Sequence, residues 1–282
     1  MKTSNKLLIA IAVLLIVIPI IVVGINVKLN YKERGIEDTY FGTQQINNET
    51  LEQKSKERLS IPLNTPFKAI QFKDAKHFSV QLFVKEDSKY GLKIPEKFKN
   101  DLKYEVDAKG TLQLSIQNFP EDNGIEKIVI VIYCPAINEV SVANSNILEF
   151  SAHSDAITLN VDNTEELFLT GNITHTDPTG KTTEINPTKI GKLYLNLNKT
   201  KFNGYTNGFK DLYIIANKSE IEIGNMEENS QKSFPFDHLN IKTTDTSRVK
   251  LQNVNLKTFS ADFSDATTLE IPTPLLKQLF KK

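Results

Sequence analysis

The sequence predicts an all-β protein: a parallel β-helix, or solenoid, preceded by a small β-sheet region, with one N-terminal transmembrane helix. Three observations predict this arrangement. The amino terminus holds a long uncharged apolar run, polar and apolar residues alternate from residue 67 onward, and apolar segments beyond residue 140 recur every 19 or 20 residues. Such recurrence is typical of solenoids, because one turn cannot bury its apolar face without a stacked neighbour.

The first element, residues 1–27, is predicted to be a membrane anchor. Residues 7–27 carry no charge and consist almost wholly of Leu, Ile, Val and Ala, and about 20 such residues cross a hydrocarbon core. Pro19 lies inside the run, which a membrane helix tolerates. A cleaved signal peptide is the alternative, but its apolar region is usually about 7–15 residues long. We therefore expect residues 7–27 to hold the chain in a membrane, with the C-terminal domain in the periplasm or on the cell surface.

Residues 28–65 are predicted to be a polar linker that carries the β domain away from the membrane. Their apolar residues are sparse and fit neither the helical nor the strand period well. A short solvated helix over residues 50–59, capped by Thr50, is the alternative within this stretch. Pro62 and Pro66 mark the end of the linker, since proline commonly stands at such boundaries.

Residues 66–135 are predicted to form the N-terminal β region of the domain. Alternation of apolar and polar residues indicates half-buried strands, and a continuous apolar run indicates a strand that is buried on both faces. Gly110 supplies the turn of a hairpin. The predicted strands cover residues 67–72, 78–84, 92–94, 104–106, 112–116 and 128–132.

Residues 136–273 are predicted to form the β-helix repeats, followed by a C-terminal capping helix over residues 274–282. The residue pairs separated by 19 or 20 positions are Val140 and Leu159, Leu148 and Leu167, Leu193 and Leu212, Phe202 and Ile221, Leu239 and Phe259, and Val249 and Leu269. Two polar stretches, residues 171–190 and 225–237, interrupt the period and are predicted to be protruding loops. The capping helix would cover the last turn, which otherwise presents an open edge.

The order of these motifs resembles the GIN-type autotransporter adhesin head domain, also called the DUF2807 family of bacterial envelope proteins. The resemblance covers residues 67–271 and is carried by F-x-x-I-x-F at 67–72, L-x-L-x-I at 112–116, the apolar strand before Pro135, and the small polar turns of the repeats. It implies a right-handed parallel β-helix on the cell envelope, and the family name implies adhesion. The chain departs from the family in its turns, which are mostly Ala-Asn-Ser or Ala-Asp, and in its anchor and two insertions.

The composition and motifs point away from catalysis, cofactors, metals and nucleic acid. The chain has 34 acidic and 34 basic residues, so no net field favours nucleic acid. Its single cysteine, Cys134, lies in an apolar run and is predicted to be a buried, inert thiol. The four histidines lack ligand spacing, and the repeat region holds one arginine, Arg248. We therefore expect no enzyme, with turn carboxylates that are solvated rather than catalytic or Ca²⁺-binding.

Two function classes remain, and both place binding on an exposed surface. The first is an adhesin-like or scaffold module of the envelope, with envelope or host glycans or proteins as partners. The alternative is a polysaccharide-binding or polysaccharide-cleaving β-helix at the cell surface. Aromatic residues near the insertions are the candidate ligand contacts, although alternate members of such a set also fill a core. These candidates are Phe202, Tyr205, Phe209, Phe234 and Phe236.

Overall fold

The computed structural model describes residues 3–30, 49–54, 58–117, 127–171, 173–176, 182–185, 187–204, 209–224 and 234–280. The chain divides into two compact units, Met1–Gln45 and Ile46–Lys282. The first unit contains helix α1 (Thr3–Asn30), with Pro19 inside it. In the described part of the chain, no helix is both long enough and apolar enough to cross a membrane. The predicted membrane anchor stays a prediction.

The second unit is built from two ladders of strands, numbered in chain order and here called ladder A and ladder B. In spatial order, ladder A contains β1 (Arg58–Pro62), β4 (Gly91–Pro95), β7 (Lys127–Cys134), β3 (Ser79–Glu86), the first part of β9 (Ile147–Asp162), β10 (Glu166–Leu169), β14 (Lys201–Gly204), β16 (Glu220–Gly224), β18 (Arg248–Gln252) and β20 (Thr268–Glu270). Ladder B contains β5 (Leu102–Val106), β6 (Thr111–Ile116), β2 (Ala69–Phe72), β8 (Glu139–Ala143), the second part of β9, β13 (Lys189–Asn198), β15 (Phe209–Asn217), β17 (Phe234–Thr244) and β19 (Val254–Asp262).

Most neighbouring strands in both ladders are parallel. The antiparallel pairs are β1 with β4, β4 with β7, and β5 with β6. Strand β9 runs through both ladders, pairing with β3 and β10 over its first part and with β8 and β13 over its second. The predicted small β-sheet region at 66–135 is therefore not a separate sheet, because β2 and β3 pair directly with the repeats.

The predicted 19- and 20-residue spacing corresponds to strand register. All six residue pairs from the sequence face one another on adjacent parallel strands. Leu148, Leu167, Phe202 and Ile221 form one inward row of ladder A, and each is fully buried. Burying a side chain of this size contributes about 1.5–3 kcal/mol, so the inward rows supply the main stabilising energy.

Five successive passages out of ladder B, after β8, β9, β13, β15 and β17, share the same corner. The residue after the strand has a positive φ at Asn144, Asn163, Lys199, Lys218 and Asp245, with values between 47° and 59°. A buried hydroxyl residue follows, and these hydroxyls stack in the order Ser145, Thr164, Thr200, Ser219 and Ser247. The Ser219 hydroxyl, for example, accepts from the Thr200 amide at 3.1 Å and donates to the Asn217 carbonyl at 2.8 Å. Buried polar groups are thus satisfied between neighbouring turns.

The predicted linker at 28–65 is too long, because its C-terminal part belongs to the β domain. Strand β1 lies inside the predicted linker and pairs with β4 of ladder A. Residues 49–54, here called the strap, lie against the outer face of the same ladder. The predicted alternative of a helix over residues 50–59 is also wrong, since β1 begins at Arg58. Leu51 of the strap is buried with Phe83, Val129, Val131 and Tyr133. These outward apolar residues need a cover, and the strap supplies it.

The strap is held by a buried cation. Lys93, fully buried, places its Nζ 3.3 Å from the Glu49 carboxylate and 2.7 Å from the Gln53 carbonyl oxygen. The Glu49 carbonyl oxygen accepts from Lys85 Nζ at 2.7 Å. A Cβ at Gly91 would lie 2.7 Å from the Ile61 carbonyl oxygen of β1 and 2.5 Å from Leu51 Cδ2, so the backbone of β1 and the strap together require glycine there.

Three further predictions concern the two polar stretches and the C-terminal helix. The stretch 171–190 contains an antiparallel hairpin, β11 (Ile173–Thr176) and β12 (Thr182–Ile185), rather than a plain loop. Most of the second predicted loop, residues 225–233, lies outside the described residues. Helix α2 (Thr273–Leu279) ends the chain as predicted, with Leu275 buried against the core.

Glu49→Gln should lower the free energy of unfolding by about 3 kcal/mol, because the buried Lys93 loses its carboxylate partner. Glu52→Gln is the matched control, since it removes a carboxylate of the same strap from an exposed pair with Lys89 and should cost at most about 1 kcal/mol. Adding Lys93→Met to Glu49→Gln should recover most of the loss. Chemical denaturation measures all three, and equal small effects of the two glutamate changes would contradict the assignment.

Candidate functional site

The structure places the predicted aromatic contacts differently from the expectation. Phe202 and Phe209 are buried in the core, so their rings are not available to a ligand. Tyr205 lies outside the described residues, as do the side chains of Phe234 and Phe236, although both of these residues belong to β17. The physical reason is strand parity: Phe202 faces inward at the register position of Leu167 and Ile221.

The outer face of ladder B instead carries an exposed tyrosine, a half-buried tyrosine and an exposed isoleucine. Tyr194 of β13 is in register with Tyr213 of β15, and their rings stack with centroids 4.9 Å apart and planes 16° apart. Tyr194 is 39% exposed, and Ile215, two residues beyond Tyr213 on the same face, is 52% exposed. The sequence carries this signal, since the inward residues Leu193 and Leu212 set the parity and the 19-residue spacing aligns the two tyrosines.

A run of side-chain amides lies beside the tyrosines. Asn196 Nδ2 donates to Asn160 Oδ1 at 2.7 Å, and Asn160 Nδ2 donates to Ser141 Oγ at 3.0 Å. The next position of this row is Ile215, which cannot extend the run. These residues and Gln71 line a shallow depression of about 460 Å³ on the outer face of ladder B.

Charged groups of both signs border this face, among them Lys192 and Asp211, which are adjacent in register and lie two residues before the tyrosines. Lys242 and Asp262 form an ion pair at 3.0 Å, and Lys257 and Asp237 form another at 2.7 Å. Asp162 accepts from the amide of the neighbouring-strand residue Asn198 at 2.5 Å. The central part of the outer face of ladder B therefore carries uncharged polar and aromatic groups.

The outer face of ladder A is charged, with opposite signs on adjacent strands. Glu220 lies 3.6 Å from Arg248, which also binds Glu270, and Glu222 lies 2.7 Å from Lys250. A hydrogen bond to Glu270 raises the pKa of Arg248, and a hydrogen bond to Glu222 raises the pKa of Lys250. The sequence reasoning considered aspartates in the turns and missed these strand glutamates.

A larger cleft lies at the bend of β9, where the chain passes from ladder A to ladder B. It has a volume of about 1110 Å³ and is lined in part by Glu86, His153, Ser154, Asp155 and Lys189. The Ser154 hydroxyl donates to the carbonyl oxygen of Ala156 at 2.9 Å. A serine nucleophile needs its proton directed at a base, so this hydroxyl serves the backbone.

No group of three or more His, Cys, Asp or Glu side chains is arranged to hold a metal ion among the residues that the structure describes. Cys134 is buried on β7, and burial raises the pKa of its thiol to about 12. Burial likewise raises the pKa of the Tyr133 phenol to about 12. A thiol that keeps its proton is a poor nucleophile and a poor metal ligand.

No protein-family model matches the chain, and no curated protein sequence matches it. Among solved structures, the chain is similar to a candidate adhesin from Bacteroides fragilis, at 13% identity and a TM-score of 0.41, over 77% of this chain and 97% of that one. It is similar to a candidate lipid-binding protein from Parabacteroides distasonis, at 9% identity and a TM-score of 0.36, over 76% of this chain and 92% of that one. It is also similar to a candidate adhesin from Parabacteroides merdae, at 11% identity and a TM-score of 0.30, over 76% of this chain and 91% of that one. Sequence identities and TM-scores this low do not assign a function or a binding site to this chain.

The raised pKa values predict that the protein loses stability in alkali. The unfolded chain releases the Cys134 proton from about pH 9, whereas the folded chain holds it to about pH 12. The contribution of this thiol to stability is therefore complete below pH 9 and is lost as the pH rises from 9 to 12. Tyr133 adds to the fall between pH 10 and 12.

Denaturation at a series of pH values measures this loss. Cys134→Ala is the control, because it removes one of the two titrations and should make the fall shallower. In the native protein at pH 8, a thiol reagent such as DTNB should leave Cys134 unmodified. Rapid modification of the folded protein, or the same pH dependence in Cys134→Ala as in the native protein, would contradict the burial of this group.

Proposed function

We propose that the chain is a membrane-anchored protein of the bacterial cell envelope, whose β domain is a parallel β-helix that acts as an adhesin-like or scaffold module without catalysis. The observation that carries the proposal is the outer face of ladder B, where Tyr194, Tyr213 and Ile215 stand on a sheet fixed by register pairing. A rigid surface with exposed aromatic and aliphatic groups is suited to binding, since little conformational entropy is lost.

The β-helix interpretation is supported by the way the ladders alternate along the chain. Beyond Pro135, successive strands belong in turn to ladder B and ladder A, apart from the β11 and β12 hairpin and the continuous strand β9, and each repeat stacks on the one before. The motifs that resemble the GIN-type adhesin head domain fall on β2, β6 and β7, within the paired ladders. On the basis of these motifs, we propose that the chain belongs to that family.

Cleavage of a polysaccharide is the weaker alternative. Glycoside hydrolysis uses two carboxyl groups that reach the substrate, one as acid and one as base or nucleophile, whereas the carboxylates of ladder A are engaged by Arg248 and Lys250 on neighbouring strands. Ion pairing between successive strands accounts for this cluster. A binding role without catalysis agrees better with these contacts.

The anchor is tested by fractionating cells that express the full chain. The protein should remain in the membrane pellet after an alkaline carbonate wash. Ile16→Asp with Ile21→Asp should release it, because each acidic residue costs about 2.5–3.5 kcal/mol near the centre of a bilayer. Leu269→Asp with Phe280→Asp, exposed positions of the β domain, is the control and should stay in the pellet. Release of the unaltered chain would refute anchoring.

The binding role is tested with detergent-solubilised full-length protein on purified envelope fractions of the expressing bacterium. The protein should be retained, and Tyr194→Ala with Ile215→Ala should weaken retention about tenfold or more. Phe168→Ala is the matched control, since Phe168 faces outward on ladder A. No retention, or equal weakening by the control, would overturn the assignment of this face.

A further inference from the structure

We propose that the outer face of ladder B binds an uncharged polysaccharide chain, laid along the ladder across Tyr194, Tyr213, Asn196 and Ile215. This inference rests on the proposed function and names the ligand class of the same surface. A sugar ring combines an apolar C–H face with a rim of hydroxyls. A complementary surface therefore needs apolar groups and fixed hydrogen-bonding groups side by side.

The apolar groups follow the direction of the ladder. Tyr194 and Tyr213 occupy one outward row, and Asn196 and Ile215 occupy the next. Neighbouring strands lie about 4.7–4.9 Å apart, which is close to the advance of one sugar unit along an extended chain. Because the tyrosine rings stack on each other, a ligand on this face meets their edges and hydroxyls. Ile215, half exposed, offers the aliphatic contact beside them.

The hydrogen-bonding groups are oriented before any ligand arrives. Asn196 uses one N–H for Asn160 Oδ1, at 2.7 Å. An amide has two N–H donors and an acceptor oxygen, so Asn196 keeps a second N–H and its oxygen on an exposed side chain. Ile215, the next residue in the row, has an aliphatic side chain and forms a hydrogen bond with neither the second N–H nor the oxygen. Asn160 is fixed in turn by Ser141 at 3.0 Å, and preorganised groups of this kind lose little freedom on binding.

The charges select an uncharged ligand. Charged side chains of both signs border the two rows: Lys192 and Asp211 are adjacent in register before the tyrosines, and Lys242 forms an ion pair with Asp262 at 3.0 Å. An acidic polysaccharide gains affinity where cations outnumber anions, and these positions balance each lysine with an aspartate. The outer face of ladder A, with its alternating charges, provides a natural contrast within the same protein.

The size of the apolar area favours a polysaccharide over a protein partner. On the described part of this face, the large hydrophobic side chains exposed to solvent are Tyr194 and Ile215. A stable protein interface buries about 800 Å² on each partner around an apolar centre. Two exposed side chains among amides and hydroxyls are too few for such a centre. They match the width of a single polysaccharide chain.

Affinity electrophoresis of the full chain in detergent tests the inference, with dextran, laminarin, mannan or polygalacturonate in the gel. At least one of the three neutral polysaccharides should retard the protein, and polygalacturonate should not. Tyr194→Ala with Ile215→Ala should weaken the association at least tenfold, which is about 1.4 kcal/mol. Phe168→Ala should retain it. Circular dichroism melting confirms that the variants remain folded.

The outcomes separate this inference from the proposed function. Retention on envelope fractions without retardation by any of the three neutral polysaccharides would refute the ligand class and leave the binding role standing. Retardation by polygalacturonate alone, or equal loss in Phe168→Ala, would also refute it. Loss of both retention and retardation in the unaltered protein would overturn the proposed function as well.

Discussion

Parallel pairing of residues 19 or 20 apart is the constraint on which the rest of the β domain depends. Once one inward leucine stacks on the next, every outward side chain is placed in a row of its own. A slip by one residue would turn the buried row of Leu148, Leu167 and Phe202 into solvent. The apolar rows therefore specify the register, and the outer surfaces inherit it.

The corners preserve this register from turn to turn. A residue with positive φ costs energy in lysine, as at Lys199 and Lys218, and five successive passages out of ladder B, from Asn144 to Asp245, adopt this conformation. The buried hydroxyls compensate by satisfying backbone amides in the neighbouring turn, as Ser219 does for Thr200. The two insertions lengthen single repeats, and the register resumes after each of them.

The two outer faces differ because the same register carries different residues. On ladder A, glutamates meet lysine or arginine on the next strand, so the charges neutralise each other. Nearer the amino terminus, the same face is apolar and is covered by the strap through Leu51 and Glu49. On ladder B, uncharged amides and tyrosines stay exposed. The outer face of ladder A is therefore occupied by internal contacts, whereas that of ladder B faces solvent.

The sequence by itself determined the strands of the repeats, the faces that point inward, and the residues that stack, because alternation and spacing are local and periodic signals. It also contained the outward tyrosines, although the search for aromatic clusters selected Phe202 and Phe209, whose parity turns them into the core. Only the tertiary structure decided what covers each face. The bond between Lys93 and Glu49 joins residues 44 positions apart, and β1 joins the sheet from within a polar stretch. Periodicity specifies the face on which a side chain lies, whereas its exposure depends on segments that are distant in sequence.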